Sequence, residues 1–170
     1  IPIVVTTNQF EIENTAPAHQ YVKKILFVSN WLFQNKAKWA ANDSRVEIFY
    51  NPVESPFSKE DLRSIYHIPK NAFVFGRVGR PDNGIYDSIS MKAYSQIQNE
   101  NTWFIALSPP PKMIEEANDL KIKNFIALPP TTDEVFLSKF YNTIDVLAHA
   151  RRDGETFGCN LAEAMIHGKP

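Results

Sequence analysis

Strand-like runs alternate with helical ones along most of this chain, and that alternation limits the folds open to it more than any other feature. β-Branched, apolar and aromatic residues cluster at 3–7, 24–29, 46–50, 72–78, 102–107, 124–128 and 144–148. Residues 58–68, 86–98, 112–120, 133–141 and 157–167 read as helices. Ser58, with Asp61 three positions on, predicts a capped helix start, and Ile68-Pro69 its end. Ile89, Ala93 and Ile97 stack at four-residue spacing. Thr131 or Thr132 is the expected cap of the 133–141 helix, and Gly168 closes the last one. The pattern predicts an α/β fold, a Rossmann-like, mainly parallel sheet with flanking helices.

A hydrophobic content of 44% suits a folded core rather than a disordered segment, and 170 residues suffice for one domain plus part of another. With 18 basic and 19 acidic residues, nothing in the charge balance points to nucleic acid or a membrane surface. The single cysteine, Cys159, rules out an internal disulfide framework and argues against structural zinc. It fits a reducing, cytoplasmic setting. No apolar run is long enough to span a membrane, and no basic n-region marks a signal peptide. His19, His67 and His167 are scattered and show no metal-ligand spacing. Asn42-Asp43-Ser44 fits a glycosylation acceptor that such a compartment leaves idle. The chain opens in a strand and stops straight after a helix, so both ends look cut from something longer.

The most informative stretch is DVLAHARRDGETFGCNLAEAMIHG, from Asp145 to Gly168, where a strand meets a polar loop and the loop meets a helix. Ligands of open α/β sheets sit beyond the carboxyl ends of strands, and helix N-termini there present free amides to phosphate. The helix is expected to begin near Thr156 to Gly158, so a diphosphate can rest on the amides of Phe157, Gly158, Cys159 and Asn160. Gly158 permits close backbone approach. Leu161, Ala164 and Met165 share the helical face fit for the core, and Glu163 faces the other way. Glu163 can accept ribose hydroxyls, and Glu155 the hydroxyls of a sugar beyond the phosphates. In the plainer alternative, Glu155 complements the helix dipole and Glu163 is solvated. His149, Arg151 and Arg152 end the preceding strand and read equally well as a solvated loop.

The run GETFGCNLAEAMIHGKP resembles the signature of family 4 glycosyltransferases: glutamate, small residue, Phe-Gly, three residues, Ala-Glu-Ala-Met, then Gly-Lys-Pro. The likeness extends to FYNPVESPF (49–57), similar to that family's inter-domain crossover, and to FVFGRVGRPDNG (73–84), similar to the first strand and loop of its donor domain. The resemblance implies the two-domain GT-B fold. Residues 1–52 would close an N-terminal acceptor domain, and 53–170 would form a truncated donor domain. It implies that Glu155 acts at the donor sugar as the catalytic carboxylate and that Glu163 binds the ribose. Backbone groups of Thr156, Phe157, Gly158, Cys159, Asn160 and Leu161 would bind the diphosphate with Arg80. The absence of an Asp-x-Asp pair fits a metal-independent enzyme.

The implied activity is transfer of a hexose from a UDP- or GDP-sugar, with retention and without a cofactor, to a glycan or lipid-linked acceptor. A peripheral membrane contact would belong to the N-terminal domain, and the present length alone is expected to be inactive. A nucleotide-sugar epimerase and a non-catalytic nucleotide-sugar-binding module remain the alternatives. Two departures bear on the choice. Asn83 stands where the family places a lysine, so either Arg77 substitutes for it or the donor binds more weakly. Ser108-Pro109-Pro110-Pro111 replaces a glycine-rich turn, which points to an unusual sugar preference. Arg77, inside a strand, otherwise reads as half-buried and structural, and Arg80 as a partner of Asp82 or Asp87.

Overall fold

The computed structural model describes residues 2–7, 20–54, 56–151 and 154–170. They form two compact units, one from the chain up to Pro52 together with Gly154–Cys159, the other from Val53 onward with Asn160–Pro170.

In the first unit, strands β1 (Ile3–Thr7), β2 (Val22–Phe27) and β3 (Val46–Ile48) pair in parallel in that order. The central strand buries Val22, Ile25 and Phe27. Helix α1 (Asn30–Lys36), which the sequence pattern did not reveal, follows β2. The Ser29 hydroxyl accepts from the Leu32 amide at 3.0 Å and caps it. Leu32 is fully buried, next to Ala37 and Ala40.

In the second unit, β4 (Phe73–Val78), β5 (Thr102–Leu107), β6 (Phe125–Leu128) and β7 (Val146–Leu147) form a wholly parallel sheet ordered β6-β5-β4-β7. The helices are α2 (Ile89–Ile97), α3 (Pro111–Asp119), α4 (Glu134–Thr143) and α5 (Cys159–Ile166). β5 shows why both faces must be covered. Phe104 and Ala106 pack with Met91, Tyr94, Met113 and Ala117 of α2 and α3. Ile105 and Leu107 pack on the other face with Phe140 and Tyr141 of α4 and Ala164 of α5. Each large apolar side chain buried this way contributes about 1.5–3 kcal/mol. Rings of Phe75, Tyr94 and Phe104 stack edge-on at 5.3–5.4 Å between centroids.

Several local expectations are corrected. Residues 58–68 form turns, not a helix. Ser58 Oγ accepts from the Glu60 amide at 3.0 Å, and Asp61 Oδ1 from the Arg63 amide at 2.9 Å. Such short-range bonds compete with helix formation. A single turn from Leu62 to Tyr66 then ends at His67, whose φ of 55° is left-handed. The cap of α4 is Asp133, which accepts from the Val135 and Phe136 amides, while Thr131 accepts from the Asp133 amide. Ile89, Ala93 and Ile97 do share one face of α2, along an open apolar groove of about 290 Å³, while Met91 and Tyr94 are its buried residues. Met165 is 74% exposed, whereas Ala164 is buried and Leu161 packs against the core.

Gly76 lets β7 lie against β4. A Cβ there would stand 2.3 Å from Ile144 Cγ2 and 2.8 Å from its Cδ1, and Ile144 is fully buried. Gly76→Ala is expected to destabilise the protein by about 1–3 kcal/mol. Urea denaturation measures it, and the cost should shrink in an Ile144→Ala background, where the opposing methyls are gone.

Candidate functional site

The order β6-β5-β4-β7 reverses direction at β4. The chain steps outward from β4 to β5 and β6, then returns to the far side of β4 as β7. At such a reversal the loops leaving neighbouring strands diverge at their carboxyl ends, and the crevice between them is the usual ligand position in such sheets. Arg77, Gly79 and Arg80 come from the β4 end, His149 and Arg151 from the β7 end, and Asn160 and Glu163 from α5.

Glu163 is half-buried. Its Oε2 accepts from the Tyr141 hydroxyl at 2.6 Å, and Tyr141 is fully buried. Its ring stacks on His167 at 5.0 Å. The same hydroxyl lies 3.2 Å from the Asn160 carbonyl. One carboxylate oxygen is therefore fixed, and Oε1 has no hydrogen bond among the described residues. Asn160 is engaged more fully than the sequence pattern indicated. Its Nδ2 donates to the Val78 carbonyl at 3.2 Å and lies 3.1 Å from His149 Nδ1. Its Oδ1 accepts from the Leu161 amide at 3.0 Å. The side chain braces the ends of β4 and β7, and it occupies the Leu161 amide expected to face phosphate.

α5 starts at Cys159, slightly later than expected. It ends in a Schellman motif at Gly168, where the Gly168 amide bonds the Met165 carbonyl and the Lys169 amide the Ala164 carbonyl, both at 2.9 Å. Gly168 has φ 69°. Just before the helix, Gly158 is buried at φ 82°, a conformation that favours glycine over any residue with a Cβ. In the first unit, Phe157 packs on that unit's core and on the Tyr50 ring at 6.1 Å, so its side chain is structural. Asn51 Nδ2 lies 3.5 Å from the Sγ of Cys159, an exposed free thiol. Glu155 and Thr156 are half-buried in the irregular backbone that precedes them.

Arg80 is exposed and makes no ion pair among the described residues. Asp82 accepts from the Gly84 amide and Asp87 from the Ile89 amide, each at 2.8 Å. Asn83 has a structural use, because its Oδ1 accepts from the Lys112 amide in the first turn of α3 at 3.1 Å. Arg77 departs from the half-buried expectation and is only 6% exposed. Arg152 lies outside the described residues. Among the described residues there is no group of three or more His, Cys, Asp or Glu placed to hold a metal, and no helix long and apolar enough to cross a membrane.

No protein-family model matches the chain, and no curated protein matches it. Solved structures do. A glycosyltransferase from Rickettsia africae ESF-5 superposes at TM-score 0.76 with 16% identity, over 98% of this chain and 49% of that one. Anabaena Alr3699/HepE, solved in complex with UDP-glucose, gives 0.78 and 17%, over 99% and 52%. The pneumococcal O-GlcNAc transferase GtfA, solved with UDP and GlcNAc, gives 0.68 and 15%, over 99% and 36%. The fold is Rossmann-like α/β, shared with these glycosyltransferases. The chain spans about half the length of the first two.

Tyr141→Phe removes the only hydrogen bond to the Glu163 carboxylate among the described residues. It should cost about 1.5–3 kcal/mol, the range for a bond to a charged group. Chemical denaturation at neutral pH measures that loss.

Proposed function

We infer that this chain is the donor-binding part of a glycosyltransferase that takes its sugar from a nucleoside diphosphate. The observation that carries this reading is the half-tethered carboxylate of Glu163 at the strand reversal. Tyr141 holds Oε2 at 2.6 Å and leaves Oε1 to accept ribose hydroxyls, so the acceptor is oriented before the ligand arrives. Arg80, exposed and unpaired among the described residues, suits a diphosphate bidentately. We assign the backbone amides of Thr156, Phe157, Gly158, Cys159 and Asn160 to phosphate as well. Leu161 contributes through packing, since its amide is bonded to Asn160. Glu155 orients the transferred sugar. Fold similarity to HepE, solved with UDP-glucose, supports a uridine diphosphate sugar as donor, with a guanosine diphosphate sugar as the other candidate.

In the reaction, the bond from the anomeric carbon to the donor phosphate breaks and negative charge grows on the leaving diphosphate. Arg80 and the amides stabilise that charge as it develops. We assign residues 53–170 to the donor domain and residues 1–52 to the end of an acceptor domain. The reaction proceeds with retention, without a metal, in the cytoplasm, onto a glycan or lipid-linked acceptor. A non-catalytic nucleotide-sugar-binding module is the second reading. It draws on Asn83, a neutral residue spent on the α3 amide at a position facing the crevice loop.

Calorimetry of the intact protein with UDP- and GDP-sugars is the test. Glu163→Gln should weaken nucleotide binding by about 10–100-fold, the equivalent of one hydrogen bond to a charged group. Glu155→Gln should spare nucleotide affinity and cut turnover by about 100-fold or more. Binding of every nucleotide sugar with no transfer to any acceptor would favour the module, and no binding at all would overturn the donor reading.

A further inference from the structure

His167 belongs to no metal-ligand pattern, yet both of its ring nitrogens are engaged. Nδ1 lies 2.7 Å from the carbonyl oxygen of Glu163, one helical turn earlier. A carbonyl can only accept, so Nδ1 carries a hydrogen and donates it. Nε2 lies 3.0 Å from the Ser138 hydroxyl of α4. That hydroxyl accepts from the Ser58 amide at 3.1 Å, which leaves its single proton for Nε2 or for the Ser58 carbonyl at 3.2 Å. The Ser58 carbonyl already accepts from Asn142 Nδ2 at 2.8 Å. In its neutral form the ring therefore accepts from Ser138 while it donates to Glu163, and the imidazole plane is pinned on both sides.

A ring held in this way is a wall for whatever lies against its face. The Tyr141 ring lies there, stacked at 5.0 Å between centroids and 29° between planes. Phe140 meets the same tyrosine edge-on at 5.6 Å. Tyr141 needs a guide, because its hydroxyl has one proton and two acceptors within reach. Glu163 Oε2 stands at 2.6 Å and the Asn160 carbonyl at 3.2 Å. The tilt of the ring decides which of them receives it.

One residue thus holds Glu163 in two ways. His167 bonds the backbone carbonyl of Glu163 directly, and its face supports the tyrosine that bonds the carboxylate. Gly168 closes α5 immediately afterwards at φ 69°, so the imidazole sits at the carboxyl end of the helix, where it complements the last carbonyls.

We propose that His167 is a positioning residue for the ribose-binding carboxylate: its ring, pinned between Ser138 and the Glu163 carbonyl, holds Tyr141 so that the hydroxyl is directed to Glu163 Oε2 and not to the Asn160 carbonyl. His167 acts through Tyr141 and touches no substrate. This deepens the donor reading, on which it rests for what Glu163 binds.

UDP and inorganic pyrophosphate, titrated separately into the intact protein by calorimetry, distinguish the ribose end of the donor from its phosphates. His167→Gln can still reach Ser138 but offers no ring face, whereas His167→Phe offers the face and no hydrogen bond. His167→Gln should weaken UDP about fivefold, as one misaligned hydrogen bond would, and leave pyrophosphate within about twofold. His167→Phe should recover most of the lost UDP affinity, although it unfolds at a lower urea concentration than His167→Gln. UDP affinity that follows urea stability instead of the ring face overturns the proposal, as does a loss shared by pyrophosphate or no loss in His167→Gln. Ser138→Ala keeps the ring and frees it at Nε2, and it should weaken UDP about two- to threefold. It decides the matter if His167→Gln does not fold, and unchanged UDP affinity there overturns the proposal. A wild-type protein that binds no UDP sinks the donor reading, and stability coupling then decides the positioning role. The stability lost on Tyr141→Phe should shrink by about half in the His167→Gln background. That result upholds the hold on Glu163 without the nucleotide, and an unchanged loss overturns it.

Discussion

Ile144 fills the space that a side chain on residue 76 would occupy, and the second unit's arrangement depends on that one close approach. Because Gly76 has no Cβ, the chain entering β7 can lie against β4. Asp145 then accepts from the Val74 amide at 2.7 Å and from Arg63 at 3.0 Å, which locks the junction. Once β7 is seated beside β4, the strand order must reverse there, and the loops of β4 and β7 must part at their carboxyl ends. The crevice is a consequence of packing at the buried middle of the sheet, not of the residues that line its mouth.

The lining residues divide according to whether their hydrogen bonds are already satisfied. Asn160 uses its whole amide to join the Val78 carbonyl, His149 and the Leu161 amide. Tyr141 fixes one oxygen of Glu163. These groups set geometry. Glu163 Oε1, the Arg80 guanidinium, Arg77 Nη1 and Ser108 Oγ have no hydrogen bond within the described residues. Buried polar atoms are nearly always paired in folded proteins, and of these four only Arg77 Nη1 and Ser108 Oγ are buried.

The central strands of the second unit were legible in the sequence because their apolar and aromatic runs are largely buried, a strong and local signal. β5 matches its expected bounds, 102–107, and β4 falls within 72–78. Legibility failed where side chains answer to neighbours distant in sequence. Residues 58–68 carry a plausible helix start, yet the Leu62 amide bonds Thr143 Oγ1 at 2.7 Å and the Ser58 amide bonds Ser138 Oγ at 3.1 Å. Tertiary bonds to α4 hold those amides in turns. α1 was hidden because its seven residues follow a strand without a break, and only Ser29 marks its start. Of the candidate site residues, Glu163 and Asn160 were visible as positions on a helix. Their partners Tyr141 and Val78 lie 22 and 82 residues away, so no spacing rule could have joined them.

Asn83 ties these threads together. A lysine there would place a mobile charge beside the crevice, whereas asparagine fastens the loop after β4 to the first turn of α3. The exchange gives up a long-armed cation and gains a fixed loop. Positive charge at this end of the sheet is then carried by the exposed Arg80 in place of one flexible arm. Guanidinium suits that arrangement better than ammonium: its planar fork engages two oxygens at once and keeps its charge when desolvated.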